Sequence, residues 1–410
     1  MSVLLWIIVM AVVVASIFYL LHVPIPEGLD SKEQSFYRFM FYFTNVYFRL
    51  GRLYSYVNGK PYVVNCRIAG KAFLPKPKQD VHSHIQVSTV FYGEAKVRQY
   101  RNLKQTPGKK CPALIYIHGG GYVLGHPRAY DNFLRSLCDE LGCYIAALYY
   151  PLAPEHTFPG PYQHCFDASK WFLKNCHKFL VDPTRVAIAG DSAGGQLAAS
   201  VVQDLAKDHS VSNVKLQILI YAPFQWLDMN SPSYQEVKKL HGSNITVGNV
   251  ALSSFVSFYL TGREDWAFVQ ALSQNKMMSN RTRNSSVMKR IDHGLLSSKY
   301  TNSLSYEGII SGMCDRDLST QFEDLLLDYR LSPITGDVAG VPMAYVVSCG
   351  LDCLRDDSFW YCMHLENAGV RVVHKHYKTG IHGMLTFPEK TLPLAGEMRR
   401  NIVLFLKENL

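Results

Sequence analysis

Nothing in this sequence repeats. It has no glycine period, no heptad array and no helical unit of fixed length, which excludes collagen-like, coiled-coil and solenoid architectures. Charge is sparse, at 18% of 410 residues against 48% hydrophobic, so the chain has material for a large core and extended disorder is excluded. The net charge of +9 comes from 42 bases dispersed among 33 acids, and with no nucleic-acid motif beside them no nucleic-acid partner is expected. The ten cysteines lack framework spacing, so most read as small buried hydrophobes with at most one or two bridges.

Residues 3–21 lack any charge, and nineteen residues at helical rise are about enough to cross a bilayer core. Pro24 and Pro26 then stop the helix. A signal peptide cleaved after Ala15 is the alternative, but the run is longer than the usual ~7 to 15 residue apolar region and has no basic start. An uncleaved anchor over residues 1–24 is therefore expected. Lys32 and Arg38, on its carboxyl side, place the body in the cytoplasm by the positive-inside rule. Sequons at Asn244, Asn280 and Asn284 point instead to a glycosylated lumenal body, unless they arise by chance. The closing Lys407-Glu408-Asn409-Leu410 departs from the retrieval tetrapeptide at its two middle positions and is not counted as one.

From about residue 85 short β-branched and aromatic runs alternate with longer helical patterns, which predicts an α/β domain with a mainly parallel sheet over 85–410. Strands are expected at 113–117, 144–149, 186–189, 216–221, 343–348 and 372–377, and helices near 128–141, 162–179, 193–206, 354–368 and 394–408. About 120 residues separate the fourth of these strands from the fifth, far beyond an ordinary connection, so 224–340 is read as an inserted subdomain. Its basic stretch from Lys276 to Arg290 reads as a solvated loop rather than a membrane-surface patch. The aromatic segment within 25–84 is either helix core or, with the insertion, a lid.

Gly190-Asp191-Ser192-Ala193-Gly194-Gly195 follows a buried strand and opens a helix of small residues. Such a sharp strand-to-helix turn needs glycine on both flanks and lifts the serine at the sheet edge. His118-Gly119-Gly120-Gly121 ends another strand, and its glycines let backbone N–H groups converge on one point. The N–H groups of Gly119, Gly120 and Ala193 are the expected oxyanion donors. A serine hydroxyl needs a histidine base, and the base needs a carboxylate to fix its tautomer. Among His364, His374, His376 and His382, only His382 falls in a loop after a strand. Asp352 is the first acid after the strand at 343–348, whereas Asp356 and Asp357 read as helix N-terminal charges facing the macrodipole. The order Ser192, Asp352, His382 is that of α/β-hydrolases. His374 and His376 form a two-ligand pair with no third partner, so no metal is expected.

The HGGG run, the GDSAGG run, Tyr150-Pro151-Leu152-Ala153-Pro154-Glu155, and the pairing of Gly350-Leu351-Asp352 with His382-Gly383 resemble the hormone-sensitive-lipase-like branch of the α/β-hydrolases. The amino-terminal run, Pro232-Ser233-Tyr234-Gln235-Glu236 and the closing residues bring the likeness to the arylacetamide deacetylase family, weakest over about 265–325. The resemblance implies an α/β-hydrolase fold with helices on both sheet faces, no cofactor, and a type II protein of the endoplasmic reticulum membrane. Its lumenal body would hydrolyse small lipophilic esters and amides. A narrower sterol-ester or ether-lipid acetyl hydrolase and a non-catalytic receptor or scaffold are the alternatives. Two positions depart from the pattern. Pro151 replaces an arginine of the Tyr-Arg-Leu-Ala-Pro-Glu motif, and Val123 stands where relatives carry a cysteine paired with the one matching Cys349.

Overall fold

The apolar runs from residue 111 onward become strands of a single sheet because helices cover both of its faces, leaving no polar side to the central strands. The computed structural model describes residues 22–74, 84–106, 108–241, 248–310 and 312–410. The eight strands are β1 (Ile85–Tyr92), β2 (Ala95–Asn102), β3 (Cys111–Ile117), β4 (Tyr144–Leu148), β5 (Val181–Asp191), β6 (Leu216–Ile220), β7 (Met343–Leu351) and β8 (Val372–Ile381). They lie in the order β1-β2-β4-β3-β5-β6-β7-β8. β1 pairs antiparallel with β2 and β2 antiparallel with β4, while every later pairing is parallel.

Helices α1 (Ser31–Asn58) and α2 (Tyr62–Gly70) precede the sheet. α3 (Asp131–Leu141), α4 (Gly160–Asn175) and α5 (Ala193–Lys207) follow β3, β4 and β5. Between β6 and β7 lie α6 (Pro232–His241), α7 (Asn249–Thr261), α8 (Trp266–Ser273) and α9 (Arg316–Leu327). α10 (Arg355–Asn367) follows β7 and α11 (Pro393–Asn409) closes the chain. One sheet face is covered by α3 and α11 through Leu134, Leu137, Ile402 and Phe405. The other is covered by α4, α5 and α10 through Phe172, Leu197, Val201 and Trp360.

The insertion is bound to the sheet by two carboxylates that the sequence suggested would face a helix dipole. Asp356 and Asp357 do sit in the first turn of α10, but both are fully buried. Asp356 accepts the Ser233 N–H at 2.6 Å, and Asp357 accepts the N–H of Phe224 at 2.9 Å and Gln225 Nε2 at 2.9 Å. Burial pushes Asp357 up to about 8, against the pull of these donors. Their role is to satisfy the buried backbone just after β6 and at the start of α6, which costs more to leave unpaired in the interior than a dipole contact contributes at the surface.

α1 starts at a capping box in which Asp30 accepts the N–H groups of Lys32 and Glu33 at 2.8 Å and the Asp30 N–H donates to Glu33 Oε2 at 3.1 Å. It then packs with α2 against α7. Arg52 holds Glu264 through both nitrogens at 2.6 and 2.8 Å, Tyr62 bonds Ser254 at 3.0 Å, and Phe48 lies 5.9 Å from Phe255. Glu155, at the end of the motif in which Pro151 replaces an arginine, is held by Arg67 of α2 at 2.6 Å. The expected anchor falls, through residue 21, outside the described residues, and Asn244 does too. Among the described residues no helix is long and apolar enough to cross a membrane.

Candidate active site

β5 ends at Asp191 and α5 begins at Ala193, so Ser192 alone makes the turn, at φ 53° and ψ −129°. That conformation is strained for a residue with a side chain, and here the surroundings enforce it. The Ser192 N–H donates to Ile220 O at 2.8 Å. A Cβ on Gly194 would meet Ile117 O at 2.1 Å, so no other residue allows α5 this close to β3. The serine is thereby held half-buried at the carboxyl edge of the sheet.

Strand register delivers its neighbours. Leu351 of β7 lies opposite Ile381 of β8, so the next residue on each, Asp352 and His382, leaves the sheet at the same edge. Ser192 Oγ is 2.9 Å from His382 Nε2, and His382 Nδ1 is 2.7 Å from Asp352 Oδ2. Asp352 is 2% exposed and its other oxygen accepts the Leu354 N–H at 3.0 Å. An ionised carboxylate only accepts, so Nδ1 carries the proton and Nε2 is free to accept from the serine. Burial by itself lowers the pKa of His382, yet the Asp352 charge and hydrogen bond, with Asp191 beyond, raise it above the ordinary histidine value.

The glycine run after β3 corrects one sequence expectation. The Gly119 N–H is not free: it donates to Asp191 Oδ1 at 3.0 Å and to Tyr130 Oη at 3.2 Å. Asp191 is buried and also accepts from Tyr116 at 2.7 Å and Tyr130 at 2.9 Å, so the first glycine is drawn inward as part of this cluster. At Gly120 the backbone turns at φ 126°, and its carbonyl accepts from Leu124 at 2.8 Å. The N–H groups of Gly120, Gly121 and Ala193 have no acceptor among the described residues. Gly121, taken from the sequence only as part of the motif, thus has an N–H without an acceptor among the described residues where Gly119 does not. The signal for this lay in Asp191 and the tyrosines Tyr116 and Tyr130, which surround the inward amide. His118 stacks on Tyr150 at 4.4 Å and its Nδ1 bonds Gly119 O at 2.8 Å, and burial lowers its pKa to about 4. It is a neutral support for the loop.

The remaining histidines are away from the serine. His374 and His376 both bond Ser348 Oγ, at 2.8 and 2.9 Å, and His364 bonds Gly336 O at 3.1 Å. Cys349 is a free, buried thiol, and Val123 is buried within the core. Asn280 and Asn284 are exposed on a short helical turn, and the Asn284 side chain bonds Asn280 O at 2.9 Å.

A serine raised on a strained turn, a histidine bonded to it, a buried carboxylate behind the histidine and a row of unpaired amides in front define an α/β-hydrolase of the carboxylic ester hydrolase class. Comparison with known proteins agrees. The family described as alpha/beta hydrolase fold matches residues 114–283 and 302–386. The chain is 35% identical over 320 residues to arylacetamide deacetylase of Oryctolagus cuniculus, covering 74% of this chain and 76% of that protein. It is 31% identical over 340 residues to neutral cholesterol ester hydrolase 1 of Pongo abelii, covering 80% and 81%. An esterase structure from Pseudomonas putida superimposes with a TM-score of 0.58 at 20% identity, covering 85% of this chain and 90% of that one, a likeness of fold. The chain belongs to the arylacetamide deacetylase family of α/β-hydrolases.

Proposed function

We propose that the chain is a membrane-anchored serine hydrolase that cleaves esters, and arylacetamides, of lipophilic substrates through a Ser192–His382–Asp352 triad. Ser192 attacks the acyl carbonyl while His382 Nε2 takes its proton, and Asp352 holds the resulting imidazolium. The N–H groups of Gly120, Gly121 and Ala193 receive the oxyanion. His382 returns the proton to the leaving alcohol or amine, and the acyl group remains on Ser192. Water, deprotonated by His382, then releases the acid. The observation that carries this reading is the unbroken line from Ser192 Oγ through His382 to buried Asp352, at 2.9 and 2.7 Å.

The anchor of residues 1–24 would hold the body at the endoplasmic reticulum membrane on the lumenal side, a reading supported by the exposure of Asn280 and Asn284. The segments 25–84 and 224–340 together serve as the lid. Activity of the purified full chain against aryl esters of graded acyl length, one arylacetamide and one sterol ester tests the proposal. Broad aryl-ester turnover is expected. Turnover of the sterol ester alone would move the function to the narrower hydrolase, and none on any substrate would favour a receptor or scaffold.

A further inference from the structure

The outer side of α1 is apolar although the helix already buries its inner side. Phe39, Phe43, Leu50, Leu53, Tyr54 and Val57 are between 36% and 79% exposed. At about 100° per residue all six fall within an arc of roughly 100°, and the stripe runs for about 27 Å. On the opposite side Phe48 faces Phe255 of α7 and Arg52 faces Glu264 in the loop after it. The helix is one-sided in charge as well, carrying Lys32, Arg38, Arg49 and Arg52 with Glu33 as its single acid.

We infer that α1 is an interfacial helix whose six-residue stripe seats in the headgroup–acyl boundary of a phospholipid bilayer. The inference rests on the reading of residues 3–21 as an anchor. That uncharged run ends ten residues before Ser31, a tether of at most about 35 Å even when fully extended, so a spanning run keeps α1 beside the bilayer. Apolar side chains on one face and arginines beside them suit the acyl boundary and anionic headgroups together. A groove of about 800 Å³ between α1, α2 and α7 is lined by Phe48, Tyr62, Phe255 and Trp266 together with charged Arg52 and Glu264. Phe255 reaches the catalytic loop, since a Cβ on Gly121 would meet its ring at 2.6 Å. The groove lies on the Phe48 and Arg52 side of α1, so with the stripe in lipid it faces the body of the protein.

The full chain, with the half-buried Cys314 replaced in Cys314→Ser, carries single spin labels at Leu50→Cys, Val57→Cys or, as control, Leu304→Cys, which is 96% exposed on the insertion. Each is reconstituted in phosphatidylcholine–phosphatidylserine vesicles, and collision with oxygen and with a water-soluble nickel complex is measured. Retained hydrolysis of a soluble aryl acetate shows that the labelled chains are folded. At positions 50 and 57 oxygen accessibility should exceed nickel accessibility several-fold, with the reverse at 304. Nickel accessibility at 50 and 57 equal to that at 304 would overturn the inference while the anchor stands, provided the chain floats with the vesicles. Exclusion of both reagents would mean that protein, such as a second copy, covers the stripe, and would overturn it too. A chain that does not float overturns the anchor reading and this inference with it.

Discussion

Replacing Asp352 by asparagine separates charge and tautomer from shape. The carboxylate is buried, with one oxygen on the Leu354 N–H and the other on His382 Nδ1. In Asp352→Asn the carboxamide oxygen keeps the Leu354 bond, which turns the NH2 group toward Nδ1. An NH2 group only donates, so Nδ1 must accept and the imidazole proton moves to Nε2. There it faces Ser192 Oγ at 2.9 Å, and the ring no longer takes the serine proton. The imidazolium that forms during attack also loses its counter-charge. A triad carboxylate neutralised in this way lowers turnover by ~10⁴, about 5 to 6 kcal/mol of barrier. The assay is kcat for a soluble aryl acetate, with a thermal melt on the same sample, since the exchange keeps volume and leaves the fold in place. A well-folded variant that loses less than about ten-fold refutes the assignment. So does a greater loss of turnover in folded Asp356→Asn or Asp357→Asn, whose side chains bind the insertion and whose replacement should act on stability.

In the proposed mechanism His382 works as neutral imidazole, and its pKa is raised, so kcat/KM should climb with pH along a limb lying above the ordinary histidine value of about 6.5, and in Asp352→Asn that limb should move down. The His382–Asp352 pair correspondingly stabilises the fold below about pH 6.5, and that contribution fades as pH rises through the raised value. His374 and His376 behave oppositely: burial lowers both to about 4, so between pH 6.5 and 4 the unfolded chain binds protons that the folded chain does not. Stability should fall across that window, measured as the urea midpoint, and the fall should flatten in a His374→Gln/His376→Gln double variant; an unchanged slope would show that neither is held neutral. Glycosidase treatment of the membrane-bound chain should increase its gel mobility, an effect lost when Asn244, Asn280 and Asn284 are all changed to Gln, whereas digestion of an unglycosylated body by protease outside sealed microsomes would place it in the cytoplasm.

The central strands were legible because strands buried on both faces are nearly continuous apolar runs, as β3 and β4 are and as β6 is apart from Gln217. β1 and β2 were not singled out, since this edge hairpin carries Lys96, Arg98 and Arg101 between its apolar residues and its signal is alternation around Gly93. Ser192, Asp352 and His382 could be chosen because each is placed by the end of a strand, a property of local order along the chain. The choice among amides could not be made that way. Which glycine turns inward depends on Asp191, whose carboxylate is held by tyrosines from β3 and from the turn before α3. Likewise the acidic start of α10 announced a helix terminus, while burial beneath the insertion, which makes Asp356 and Asp357 acceptors for its backbone, depends on contacts over more than 120 residues of sequence.

The central claim is that Ser192 is the nucleophile. Treatment of the full chain with a fluorophosphonate, followed by intact mass and peptide mapping, tests it directly. The account predicts one adduct, on Ser192, formed in parallel with loss of esterase activity and absent in Ser192→Ala. An adduct on another residue, or hydrolysis that persists in Ser192→Ala, would contradict it.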